Sequence, residues 1–129
     1  MDAVQFAAHG DREVVEYGPS PEPTLDPDDV LLDVRAGALN HLDVWTRRGL
    51  PGIDLDFPHV PGSDAAGVVV AAGDAVERFG PGDRVAVTAG RNCGTCEFCR
   101  DGEPTLCVNY EILGEHCPGV PAERTAVPA

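Results

Sequence analysis

The chain has 129 residues, 43% of them hydrophobic, which is enough for one domain with a real core. Its formal net charge is −13, from 22 acidic residues against 9 basic ones, all of them arginine. A surface this acidic repels phosphate backbones and excludes nucleic acid as a ready partner, and no apolar run approaches the ~20 residues that span a bilayer as a helix.

In chain order, residues 2–8 alternate loosely and read as a first strand. A turn at Asp11 and Arg12 leads to a second strand over Glu13–Tyr17, pairing back as a hairpin. Residues 18–29 contain four prolines and read as a loop. Val30–Arg35 reads as a strand. Asn40–Arg48 is the best helix: Asn40 is a good N-cap, Asp43 sits in the first turn, and Arg47 and Arg48 precede Gly49. Leu42, Val44 and Trp45 are expected to face the core. Residues 49–62 form a long Pro- and Gly-rich loop, a length that points to function. Gly67–Ala71 and Arg84–Thr88 read as strands, separated by turns at Gly73 and at Phe79–Asp83. Glu123–Val127 is a last short strand. Many short strands, frequent turns and one short helix predict a mainly β fold, a small barrel. His41 and His59 read as partly exposed histidines without a ligand role, and Cys117 as a free thiol.

Between the last strands lies the stretch Arg91–Cys107, with four of the five cysteines. Two residues separate Cys93, Cys96 and Cys99 from one another, and seven separate Cys99 from Cys107. Four thiolates this close can converge on one tetrahedral zinc ion at about 2.3 Å each. Four protein ligands leave no open position, so such a site is structural. Arg91 and Arg100 flank it as compensation for its negative charge. Paired disulfides, an iron–sulfur cluster and redox-active thiols are the competing readings of the same spacing.

The four-cysteine spacing resembles the structural zinc lobe of the medium-chain dehydrogenase/reductase family, which includes the zinc-type alcohol dehydrogenases and the quinone oxidoreductases. Gly37–Asp43, Pro61–Val68 and Phe79–Val85 resemble family signatures in the family's order. Val127–Ala129 resembles the end of its first catalytic segment. The resemblance implies a GroES-like, partly open β-barrel over residues 1–129, with one short helix and a structural zinc lobe at 91–110. The implied chemistry is hydride transfer between NAD(P) and an alcohol, carbonyl or quinone.

In the zinc-type enzymes a catalytic zinc is held by a Cys at the Asn40 position and a His at the Ser63 position, with a Glu at the Asp64 position. Neutral amide and hydroxyl groups are not established zinc donors. The expectation is that the structural zinc is kept and the catalytic zinc lost. Asn40, Asp43, Ser63 and Asp64 remain the candidate catalytic residues. His41 matches a position where the family places a phosphate-facing basic residue, so it is the candidate cofactor contact. No Gly-x-Gly-x-x-Gly follows a strand and opens a helix. NAD(P) therefore implies a dinucleotide-binding domain as partner, in trans or in further chain, and residues 1–129 alone are expected to be inactive. A homo-oligomer is compatible with this reading.

Two competing functions are a stand-alone zinc-stabilised binding or scaffold domain and a thiol-based redox or metal sensor. Reduced cysteines with metal spacing fit the cytoplasm. The N-terminus lacks the basic and apolar blocks of a leader. The lysine-free, acidic composition is similar to that of halophilic archaeal proteins. Self-repulsion of −13 charges predicts a melting temperature that rises from low to molar salt. An unchanged melting temperature over that range contradicts the halophilic reading.

Overall fold

A computed structural model describes residues 1–129. In chain order its elements are β1 (Asp2–Phe6), β2 (Val15–Pro19), β3 (Asp29–Ala38), α1 (His41–Arg48), β4 (Asp64–Ala72), β5 (Arg84–Ala86), β6 (Gly90–Arg91), α2 (Glu97–Arg100), β7 (Glu111–Ile112) and β8 (Arg124–Pro128). The mainly β expectation holds. No helix is long and apolar enough to cross a membrane.

The longest strand, β3, sits inside a four-stranded antiparallel sheet in the order β5-β4-β3-β8. Its Val30 and Leu32 point inward and are essentially buried, as period-2 alternation requires. They meet Ala65 and Val69 of β4, Val127 of β8, and Leu113 and Val120 from the connection between β7 and β8. Each of these valines and leucines contributes about 1.5–3 kcal/mol when fully buried. The β3–β4 register slips between Leu31 and Leu32 and again between Val34 and Ala36. Such irregularities bend strands and raise twist, which curls the sheet toward a barrel.

The β1–β2 hairpin is as expected, with Phe6 opposite Val15. Its second strand starts later than read, because Arg12–Val14 form a 3-10 turn. The hairpin is sewn to the rest by backbone bonds. Phe6 and His59 exchange N–H···O bonds of 3.0 and 2.9 Å, and the Val4 N–H donates to the Pro121 carbonyl at 2.6 Å.

Helix α1 has the predicted N-cap and ends at Gly49. The Asn40 N–H donates to Asp43 Oδ2 at 2.7 Å. Trp45 corrects the core expectation: it is 52% exposed, and Thr46 is the buried residue of the helix. The inward stripe of an eight-residue helix is narrow. It runs from Leu42 to Thr46, four apart on one face, so Trp45 is rotated onto the flank. There its ring lies 5.9 Å from that of His41, one turn back. Asp83 shapes its turn by accepting the Gly80 N–H at 2.9 Å.

Candidate functional site

The cysteine lobe is an excursion with a narrow neck. Two ladder pairs, Gly90 with Ile112 and Arg91 with Glu111, bring its ends together. Beyond the neck, Cys96 caps the single turn α2, Cys99 lies within that turn, and a 3-10 turn over Pro104–Leu106 delivers Cys107. The four Sγ atoms of Cys93, Cys96, Cys99 and Cys107 all lie within 4.8 Å of one another. Sulfurs about 2.3 Å from a tetrahedral centre stand about 3.8 Å apart, so the span fits a four-coordinate metal ion.

Backbone dipoles are aimed at these sulfurs. The Cys96 N–H donates to Cys93 Sγ at 3.3 Å, and the Cys93 and Asn109 N–H groups each donate to Cys107 Sγ at 3.4 Å. The Thr95 amide and hydroxyl, with the Cys96 amide, hold the Cys93 thiol down to about 6. Burial and the neighbouring sulfurs push Cys99 up to about 12. The Cys99 amide likewise lowers the Cys96 thiol, and because a metal takes thiolates, its binding releases protons from the lobe. Arg91 is partly committed elsewhere: it lies 3.8 Å from Glu111.

A second constellation forms where β3 ends and β4 begins. Ala38 pairs with Asp64 in the sheet, and this places Asn40 across from the same residue. Asn40 Nδ2 donates to Asp64 Oδ2 at 2.8 Å. Asp43 ties the two sides together, because its Oδ1 accepts the Gly62 N–H at 3.1 Å while Oδ2 caps the helix. Asn40, Asp43 and Asp64 are thus brought together. Ser63 is not: it is 4% exposed, and its Oγ donates inward to the Leu113 carbonyl at 2.8 Å. His41 is exposed on the rim, its ring tilted 48° to that of Trp45. A cavity of about 720 Å³ opens beside Asp43 and Asp64, with apolar walls from Tyr17, Val34, Leu39 and Val120. The Asn40 amide keeps one N–H beyond the one given to Asp64, so it can still donate to an oxygen at the start of α1, next to Leu39 and Asp64 of the cavity wall.

Residues 59–63 are clasped to the 113–115 turn in two places. One is the Ser63 bond, and the other is His59, whose Nε2–H donates to the Gly114 carbonyl at 3.0 Å. His59 is 3% exposed, which corrects the reading of a partly exposed histidine, and its ring packs 5.5 Å from that of Phe6. A histidine in a proline-rich loop carries no periodicity, so the sequence offered no signal of this burial.

Burial pushes the His59 pKa below its ordinary value, outweighing the opposite effect of the Gly114 bond; His9 works with burial and Asp56 against it. The folded pKa is lower than the unfolded one, so the unfolded chain binds more protons in acid. This contribution is complete above the unfolded value, near 6.5, and is lost as pH falls through the window below it. The expected result is a melting temperature that declines below about pH 6.5. In His59→Gln, which keeps an N–H donor but cannot titrate there, that part of the decline flattens. An equal slope in the variant assigns the effect to other groups.

Comparison with known proteins assigns this chain to a family. Residues 26–129 match the alcohol dehydrogenase GroES-like domain family. The chain is 36% identical over 129 residues to D-altritol 5-dehydrogenase of Agrobacterium fabrum, covering 100% of this chain and 37% of that protein. It is 33% identical over 113 residues to an alcohol dehydrogenase of Schizosaccharomyces pombe, covering 87% of this chain and 32% of that one. It therefore spans about a third of the length of these curated relatives. The crystal structure of an NAD-dependent alcohol dehydrogenase superposes with a TM-score of 0.94 at 48% identity, covering 99% of this chain and 37% of that one. A cobalt- and zinc-bound thermostable alcohol dehydrogenase from Pyrobaculum aerophilum superposes with a TM-score of 0.88 at 34% identity, covering 100% and 39%. The chain belongs to the alcohol dehydrogenase GroES-like domain family, within the medium-chain dehydrogenases/reductases.

Proposed function

We propose that residues 1–129 form one domain, the N-terminal catalytic domain of an NAD(P)-dependent oxidoreductase acting on a small alcohol, carbonyl or quinone. Cys93, Cys96, Cys99 and Cys107 hold a structural zinc in the lobe at 91–110, and the cleft works without a zinc of its own. The observation that carries this reading is the contrast between two clusters. The lobe gathers four sulfurs at a metal's span. In the cleft, the Asn40 amide is engaged with Asp64, and the Ser63 hydroxyl is turned away to Leu113.

Asn40 offers its remaining N–H to the substrate oxygen. Asp64 and Asp43 position it, the first through its amide and the second through the helix start. Ser63 fixes the strand that carries Asp64, and His41 on the rim meets the cofactor's phosphates. Bound nicotinamide supplies or accepts the hydride. NAD(P) is held by a dinucleotide-binding domain that pairs with this one. Reduced thiols favour a cytoplasmic setting.

The test compares residues 1–129 alone with the same chain joined to a dinucleotide-binding domain. The readout is transfer of deuteride from labelled NADH or NADPH to carbonyl and quinone acceptors. Transfer only in the joined protein is expected, with kcat/KM lowered at least about tenfold in Asn40→Ala, the scale of one lost transition-state hydrogen bond. Turnover indifferent to Asn40, or proportional to a second zinc per chain, overturns the reading.

A further inference from the structure

The four sulfurs of the lobe, all within 4.8 Å of one another, include two contacts of hydrogen-bond length. Cys96 Sγ lies 3.5 Å from Cys99 Sγ, and Cys107 Sγ lies 3.6 Å from Cys93 Sγ. The backbone positions each pair by its own device. The Arg91–Glu111 ladder pair joins the two ends of the lobe, so Cys93 and Cys107 meet just beyond it. The Cys93 N–H reinforces this by donating to Cys107 Sγ at 3.4 Å. Cys96 and Cys99 instead straddle the start of α2, where residues three apart share a face. By sequence, Cys93 and Cys96 are spaced like Cys96 and Cys99; the fold distinguishes the two choices. A disulfide needs sulfurs about 2.05 Å apart, so each pair closes by roughly 1.5 Å, within reach of side-chain rotation.

We infer that the lobe is a reversible thiol–disulfide element, in which peroxide converts the four cysteines to nested disulfides, Cys93–Cys107 and Cys96–Cys99, and expels the metal. The metal release rests on the zinc reading above; the pairing rests on sulfur geometry alone. In each step a thiolate attacks peroxide, the O–O bond breaks, and water leaves as a sulfenic acid forms. The second thiolate then displaces its oxygen as a second water. Two sulfurs lose two electrons and one peroxide gains them. For the loaded site, two peroxides and four protons turn four thiolates and a divalent metal into two disulfides, the free ion and four waters. Nested pairing keeps the ends of the lobe joined when the metal is gone. A thiol reductant reverses both bonds.

The experiment is disulfide mapping on the 129-residue chain. Zinc content is measured first, and the chain is then treated with hydrogen peroxide, alkylated and cut after arginine. Cleavage after Arg91, Arg100 and Arg124 puts Cys93, Cys96 and Cys99 on peptide 92–100, and Cys107 and Cys117 on peptide 101–124. The expected product is the two peptides cross-linked, with fragment spectra placing the link at Cys93 and Cys107 and a closed bond between Cys96 and Cys99. The link persists in Cys117→Ser, and dithiothreitol removes it and restores zinc uptake. Links through Cys99 or Cys117, links between chains, or irreversible sulfinic acids overturn the inference. A chain that starts without zinc but shows nested pairing sinks the zinc reading and leaves this one. A zinc-loaded chain that pairs otherwise does the reverse.

Discussion

Stripping zinc from the chain will unfold residues 91–110 and leave the barrel standing. The lobe has almost no apolar core of its own: Leu106 and Val108 are 56% and 74% exposed. Its helix α2 has four residues, far below the ~12–15 at which an isolated helix holds in water. Its neck is two ladder pairs. What remains to order it is the metal, worth about 10–16 kcal/mol in a dedicated zinc peptide, an upper bound for a lobe anchored on a folded barrel. The barrel's buried cluster draws on β3, β4, β8 and residues 113 and 120, none of them in the lobe. Hydrogen exchange should therefore show loss of protection across the lobe on chelation, and likewise in Cys107→Ser. The β-sheet circular dichroism should persist. Collapse of the whole β signal would make zinc a keystone of the barrel and contradict this picture.

Gly114→Ala is expected to be among the most damaging single methyls in the chain. Gly114 sits at φ +80°, and a Cβ there would stand 2.4 Å from the Gly62 carbonyl oxygen and 2.5 Å from its nitrogen. Both obstacles are backbone, and the segment carrying them is pinned by the His59 and Ser63 bonds, so nothing nearby can yield. Left-handed strain adds about 1–2 kcal/mol. Together these cost more than about 4 kcal/mol, a melting-temperature loss beyond about 10 °C. Gly52→Ala is the control. It has similar backbone strain, at φ +84°, but open space where the Cβ would go, so it should cost only about 1–2 kcal/mol. Equal losses in the two variants would remove the clash from the explanation.

The elements that identify the family were legible because local chemistry fixes them. Asn40, Asp43 and Gly49 bound helix α1 by capping, the β-branched runs of β3 and β4 are intrinsically extended, and the cysteine spacing is short-range. The clasp between residues 59–63 and 113–115 was not legible. It joins segments about fifty residues apart through one imidazole, one hydroxyl and two carbonyls, and none of these leaves a periodic trace. Trp45 shows the other limit. In a helix of two turns, one residue of rotation separates the core from the rim, and hydrophobicity alone cannot choose between a tryptophan and Thr46. The cleft was legible as residue types at Asn40, Asp43 and Asp64. That Ser63 turns inward depends on strand parity, which a one-residue shift would invert.

The most direct measurement is the metal content of the purified chain by mass spectrometry, under native and then denaturing conditions. One zinc per chain, retained in the native spectrum and lost on denaturing, is the predicted result. It would mean a closed site at Cys93, Cys96, Cys99 and Cys107 and a cleft that works without a metal. Two zincs would place one among the cleft residues and contradict the assignment of Asn40 as the substrate's partner. Iron in the lobe, or no metal at all, would contradict the central claim.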